Sequence, residues 1–171
     1  MDSSTAQALA GKYLDRTFSL DGSEGTTHFT IHKLLAMEGF RVLDKIREAV
    51  GERLSHVDSD ASVPTMIAAV ALSIPTAKVE EIMRPLFAQV TYTNTHAKTP
   101  LKVSDGNIID DAAFAGLEPI AIYNLLIRCL AVNFFSSFTE IKSLLATALP
   151  DSSPQPTATS TPSSLHPSTQ A

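Results

Sequence analysis

The sequence predicts an α+β fold that is mostly α-helical, with an N-terminal β-hairpin followed by a bundle of about five helices and a disordered C-terminal tail. Two runs of alternating apolar residues flank a glycine-containing turn near the N-terminus, which is typical of a hairpin. Apolar residues then recur every three or four positions, which indicates amphipathic helices. Finally, 15 of the 22 residues at 150–171 are Pro, Ser or Thr.

The chain is long enough for one domain with a substantial core. It has 171 residues, of which 44% are hydrophobic and 18% are charged, so there is ample apolar material for a core. We predict one α+β domain over residues 13–149, after a flexible N-terminus at 1–12. Residues 150–171 form the predicted disordered tail, because their few apolar side chains cannot offset the entropy lost on ordering.

The predicted hairpin comprises strands at residues 13–20 and 27–34, joined by a turn at 21–25. The turn contains Asp, Gly and Ser, which tolerate the backbone angles of tight turns. Each strand alternates apolar and polar residues, so one face is expected to point into the core. The apolar residues of that face are Phe18, Leu20, Phe29 and Ile31.

The first predicted helix begins near Ala36 and reaches about residue 54. Gly39 lies near its start, and either it lets the helix pack closely on the hairpin or the helix starts after it. Charged residues fill the gaps between apolar ones, which predicts an amphipathic helix with one buried stripe. The predicted stripe consists of Met37, Phe40, Leu43, Ile46, Val50 and Leu54.

Prolines mark the limits of the next two predicted helices. Pro64 suits the first turn of a second, buried helix, which Pro75 ends. The hydroxyl of Thr76 is expected to cap a third helix. Pro85 should kink that helix, unless the helix ends there and restarts.

The segments after the third helix are β-prone and then helical. Residues 91–96 and 101–103 are candidate strands, and the sequence leaves open whether they join the hairpin in one sheet. A turn at 105–107 and a short helix at 110–115 follow. Pro119 opens a long apolar helix to about Phe135, and Ser136 or Ser137 is expected to cap a separate final helix.

Charge and hydropathy exclude two classes of partner. The net charge is -5 and the chain has no basic run, so nucleic acids and anionic membrane surfaces are not expected to bind. The longest uninterrupted apolar run covers residues 66–72, whereas a membrane span needs ~20 residues. The N-terminus lacks the pattern of a signal peptide. We therefore expect a soluble, cytoplasmic protein.

No metal site is predicted. His28 and His32 lie on one face of a predicted strand, as a metal site completed by His96 or a carboxylate would require, but a spacing of four in a strand separates them by ~13 Å. That distance is too long for a shared zinc ion. Cys129 is the single cysteine, which excludes an internal disulfide, and its apolar neighbours predict a core residue.

No catalytic site is predicted either. The acidic pairs Asp58 with Asp60 and Asp110 with Asp111 lie in or beside polar loops, so we expect solvated turn and cap residues. The chain contains no nucleophile motif and no glycine-rich phosphate loop. We therefore expect neither an enzyme nor a bound cofactor.

The late helix offers the best candidate for a partner surface. Phe134 and Phe138 are four residues apart and share a face, whereas Phe135 points elsewhere. A helix that is apolar nearly all round is either a central core helix or is covered partly by another chain. The candidate partner-binding residues are Phe135, Phe138 and Ile141.

Two segments resemble a known family. Residues 29–43 are similar to the strand-to-helix opening of tail assembly chaperones from long-tailed bacteriophages, with Leu35 where the family has a proline. Residues 122–138 resemble the late helix of that family, in which an apolar residue precedes valine, asparagine and phenylalanine, here Val132, Asn133 and Phe134. The resemblance covers about residues 29–149.

The resemblance implies a function in virion assembly. Such chaperones bind the long tape measure protein, keep it soluble and help tail tube subunits polymerise around it. They act in the host bacterial cytoplasm and are absent from the mature virion. Many also have a longer form made by ribosomal frameshifting, for which the tail at 150–171 would be a tether.

The sequence does not decide whether copies of this chain associate with one another, and it also allows functions other than that of a chaperone. The main alternative is a structural virion component of the phage tail or baseplate. A small enzyme and a regulatory adaptor unrelated to phage are the remaining classes.

Overall fold

A computed structural model describes residues 14–51 and 61–148 and shows an α+β fold. Four strands form one sheet, and the helices follow the first two strands along the chain. The strands are β1 (Thr17–Gly22), β2 (Gly25–Ile31), β3 (Val90–Thr93) and β4 (Leu101–Lys102). The α-helices are α1 (Ala36–Val50), α2 (Val63–Ser73), α3 (Thr76–Phe87) and α4 (Ile120–Ala148), with a 3₁₀ helix at Asp111–Phe114.

The N-terminal hairpin is confirmed, with a tighter turn than predicted. Only two residues separate Gly22 from Gly25, which pair directly with each other. Gly25 adopts a φ of 118°, a conformation that residues with a side chain rarely adopt. Thr26 donates a hydrogen bond from Oγ1 to Oδ1 of Asp21 across the hairpin, at 2.7 Å.

The hairpin and the later strands share one antiparallel sheet, in the order β1-β2-β3-β4. Phe29 pairs with Phe18 on one side and with Tyr92 on the other. These side chains face the core, where Phe29 and Tyr92 are each 1% exposed. The question that the sequence left open is therefore answered: β3 extends the hairpin, and β4 follows it.

The start of the third helix differs from the prediction. The residue before α3 is Pro75, and no side chain caps the helix, so the prediction of a Thr76 cap was wrong. Of the two alternatives for Pro85, the structure excludes the restart, because α3 continues through Pro85 to Phe87. For α2, by contrast, Ser62 caps the helix by accepting from the backbone N–H of Thr65, at 3.4 Å.

The prediction of about five helices was wrong because the last two are one. Helix α4 runs without a break through Ser136 and Ser137 to Ala148. Hydroxyl residues are tolerated inside a helix when they bond back to a carbonyl four residues earlier. Thr139 does so, donating to the carbonyl of Phe135 at 2.9 Å. The described chain therefore contains four α-helices.

Helix α4 is the central element of the core. It packs against α2 and α3, and Leu125, Leu126 and Leu130 on it are fully buried. The stretch Ile120–Glu140 is long and apolar enough to cross a membrane, but half of its most apolar window is buried in the fold. Burial against other helices accounts for this composition, as in a core helix.

Several sequence predictions lie outside the described residues. These are the flexible N-terminus at 1–12, the end of the first helix near Leu54, the acidic pair Asp58 and Asp60, and the tail at 150–171.

Candidate functional site: an apolar groove between α1 and α4

Three large apolar side chains are exposed where the chain leaves the sheet and enters α1. Leu35 is 78% exposed, Met37 68% and Phe40 65%. Single exposed apolar residues are ordinary, but a cluster of them marks an interaction site. The cluster borders an open groove of about 180 Å³. The groove is lined by Lys33, Leu34, Leu35, Ala36, Gly39, Phe40, Leu43, Asn133, Phe134 and Ser137.

A side chain of α4 fixes the segment that enters α1. Oδ1 of Asn133 accepts a hydrogen bond from the backbone N–H of Leu34 at 2.8 Å, and Nδ2 of Asn133 donates to the carbonyl of Cys129 at 2.8 Å. Both polar groups of the Asn133 side chain are therefore bonded, the NH₂ group within α4 and the carbonyl oxygen to the segment across the groove. Leu34 directly precedes Leu35, so the hydrogen bond to Asn133 holds in place the segment that carries the exposed apolar side chains.

Gly39 lies against α4 rather than against the hairpin. It is inside α1, and an added Cβ would lie 3.7 Å from Cε1 of Phe134. That distance is an ordinary van der Waals contact. The absence of a side chain at Gly39 therefore contributes open space to the groove.

The charges around the groove are few. Lys33 lines it, and Arg41 and Glu38 neighbour the exposed residues on α1. Within residues 14–51 and 61–148, neither Lys33 nor Arg41 belongs to an ion pair. Of the two, Lys33 is the cation that lines the groove.

The sequence-based site residues occupy different environments. Phe138 is buried, at 5% exposure, and Phe135 is half buried against the core. Ile141 lies in α4, one helical turn beyond Ser137 of the groove, but its side chain is outside what the structure describes. Phe134, which we assigned only to the face of Phe138, forms part of the groove wall.

The sequence prediction missed the groove because it placed Phe40 of the groove and its exposed neighbour Met37 in the core. Met37 and Phe40 fit the predicted buried stripe of α1, yet the buried residues are Val42, Ile46 and Val50. The stripe was therefore wrong at its N-terminal end. The available signal was local: apolar residues on both sides of Gly39 with no polar residue among 34–37.

The polar groups outside the groove have structural roles. His28 and His96 bond to Ser19 and Glu24 respectively, and the described residues hold no group of three or more side chains suited to a metal. Asp110 caps the 3₁₀ helix by accepting from Ala112, at 3.0 Å, as predicted for a cap residue.

Burial raises the pKa of two titratable side chains. Cys129 is fully buried, which raises the pKa of its thiol, as expected for a core cysteine. Burial also raises the pKa of Tyr92 to about 12, and its hydrogen bond to Asp110 adds to the shift. Neither group is poised for chemistry at neutral pH.

The groove therefore presents an open, mostly apolar surface. Residues 25–146 match the family model of the phage tail assembly chaperone protein, TAC. The match covers more than half of the chain, so the chain belongs to this family of phage tail assembly chaperones. Membership implies a non-enzymatic role in tail assembly.

Neither the curated proteins nor the solved structures contain a match to the chain.

Proposed function

We propose that this chain binds the tape measure protein of a long-tailed phage, keeps it soluble and promotes assembly of the tail tube around it. The proposal is carried by one observation: a member of the tail assembly chaperone family exposes an apolar groove. A chaperone needs such a surface because its client has apolar segments that would otherwise aggregate. The tail tube protein is the second partner that this function requires.

The groove suits an amphipathic helix of the client. Helix-in-groove recognition uses apolar anchors at helical spacing, which insert into a hydrophobic depression. A volume of about 180 Å³ has room for one large apolar side chain. Burying such a side chain contributes ~1.5–3 kcal/mol, so one anchor gives weak, reversible binding. Reversibility is required of a chaperone that leaves before the virion is complete.

One of the residues predicted from sequence, Ile141, lies further along α4 from the groove. Ile141 follows Phe134 by seven residues, so the two positions lie on the same side of the helix. Phe135 retains partial exposure, whereas contact through Phe138 would require a local rearrangement, because only 5% of it is exposed. We propose that the client lies across the groove and continues along α4 towards Ile141.

Co-expression tests the proposal with a matched pair of variants. The chain is produced with the tape measure protein of its phage, and the soluble, co-purifying fraction of that protein is measured. Phe40→Asp is expected to abolish co-purification. Leu72→Asp is the control, because Leu72 is also 65% exposed but lies outside the groove. Circular dichroism establishes that both variants fold.

Two outcomes would contradict the proposal. If the tape measure protein stays insoluble beside the wild-type chain, client binding is wrong. If Phe40→Asp and Leu72→Asp behave alike, the groove is not the binding site. Mass spectrometry of purified virions tests the alternative of a structural tail or baseplate component. We expect the chain in the host bacterial cytoplasm and not in the particle.

A further inference from the structure

The two edge strands of the sheet, β1 and β4, differ in how well they are protected against pairing with another strand. Strand β4 is only two residues long, follows Pro100 and contains Lys102, and all three features discourage pairing with another strand. Strand β1 has six residues in unbroken register with β2, from Thr17 to Gly22. It contains no proline, no lysine and no bulge, and within residues 14–51 and 61–148 no strand covers its outer side.

The backbone of β1 presents hydrogen-bonding groups to this open edge. Ile31 donates its N–H to the carbonyl of Arg16 at 2.7 Å. In an antiparallel pair, bonded and non-bonded positions alternate, so even-numbered residues of β1 bond to β2. The N–H and carbonyl groups of Thr17, Ser19 and Asp21 therefore point away from the sheet. The side chains of all three residues are exposed.

Apolar side chains on the core-facing side of the sheet are only partly covered at the same edge. Phe18 and Leu20 point inward but remain partly exposed. Phe18 stacks on Phe29 with ring centroids 5.3 Å apart, and the guanidinium of Arg128 lies over Phe18 at 4.2 Å. Phe18 is thus held in place with one side uncovered. A further strand would cover it and Leu20.

We propose that β1 pairs with β1 of a second copy of this chain, antiparallel, with Ser19 opposite Ser19. The two four-stranded sheets then form one sheet of eight strands, related by a two-fold axis through Ser19. A two-fold interface is self-complementary, so each copy supplies the same strand. The inference goes beyond the proposed function, since neither the groove nor the client is part of it.

The residues of β1 favour this register. Pairing Ser19 with Ser19 places Thr17 opposite Asp21, so all three outward-bonding residues meet outward-bonding residues. It also places Phe18 opposite Leu20, an apolar pair on the inner face. Shifting the pairing so that Thr17 meets Ser19 would bring Asp15 opposite Asp21, and like charges directly opposite are destabilising.

Cysteine cross-linking tests both the pairing and its register. Directly opposed residues that bond to each other have Cα atoms ~5.5 Å apart, within the range that a disulfide spans. Ser19→Cys is therefore expected to give a covalent dimer under mild oxidation. Thr17→Cys and Asp21→Cys, alone, place their thiols ~13 Å from their own copies and are expected to stay monomeric on a denaturing gel. Mixed, these two variants should cross-link with each other.

Lysine substitutions give a second test that needs no oxidation. Ser19→Lys places two like charges together at the two-fold axis and is expected to raise the dimer dissociation constant at least tenfold. Thr17→Lys adds the same charge opposite Asp21 and is expected to leave the constant unchanged or lower it. Analytical ultracentrifugation of the full chain over a range of concentrations measures both.

The outcomes separate this inference from the proposed function. A wild-type chain that is monomeric at all concentrations overturns the pairing, and so does Ser19→Cys that cross-links no faster than Thr17→Cys. Cys129 is buried and does not contribute a competing thiol. Client solubilisation is measured separately in each variant, so loss of the dimer with retained solubilisation leaves the chaperone proposal intact.

Discussion

The side-chain carbonyl of Asn133 accepts a hydrogen bond from the backbone N–H of Leu34, 99 residues earlier in the chain, at 2.8 Å. This bond joins the two segments that resemble the tail assembly chaperone family. One segment carries the exposed apolar residues, and the other forms the opposite wall of the groove. The two stretches thus belong to one surface.

Removing this amide should loosen the groove. Asn133→Ala leaves the half-buried N–H of Leu34 without its acceptor, which is expected to lower the free energy of unfolding by about 1–3 kcal/mol. Urea denaturation measures the loss. Asn107→Ala is the control, because Asn107 lies in an exposed turn and its replacement should change stability by less than about 0.5 kcal/mol. Equal effects would contradict a structural role for Asn133.

Two glycines should respond in opposite ways to alanine. Gly39→Ala is expected to raise the free energy of unfolding by about 0.5–1 kcal/mol, because alanine is favoured inside a helix and its Cβ meets only an ordinary contact. Gly22→Ala should destabilise the fold, because its Cβ would lie 2.5 Å from the carbonyl oxygen of Gly116. Thermal denaturation compares them, and a stabilised Gly22→Ala would refute this close approach.

Stability should fall at high pH through Tyr92. Its pKa is raised to about 12 in the folded chain, whereas an unfolded tyrosine has a pKa of about 10. The folded state therefore favours the neutral phenol, and its contribution is complete below pH 10 and is lost as the pH rises to about 12. Over that interval, the wild type should lose up to about 1.4 kcal/mol per pH unit relative to Tyr92→Phe. If the free energies of unfolding of the two proteins change with pH in parallel, the ionisation of Tyr92 is not the source of the loss.

Local sequence patterns correctly predicted the elements that depend least on contacts with distant parts of the chain. The hairpin follows from alternation and a turn rich in glycine. The charge-poor second helix follows from its composition and its flanking prolines. Such signals need only a few neighbouring residues, so no knowledge of the rest of the fold is required. Asp110 was likewise predicted as a cap from its position beside a short helix.

The predictions failed where distant segments decide the outcome. Periodicity defined an apolar stripe through Met37 and Phe40, but packing against α3 selects Val42, Ile46 and Val50. Ser136 and Ser137 can cap a helix or lie within one, and the burial of Phe134 and Phe138 on both sides of them favours continuity. The groove itself needs Asn133 beside Leu34, a contact that no local pattern contains.

The tip of the hairpin also has a consequence for the order of folding. The backbone N–H of Ser23 donates to the carbonyl of Gly116 at 2.8 Å, 93 residues later. During synthesis, the ribosome must therefore deliver most of the chain before this contact closes. Contacts between residues far apart in the sequence slow folding, because the entropy of closing a long loop is lost before the contact forms. The nascent hairpin must wait for Gly116 to emerge before its tip is held in place.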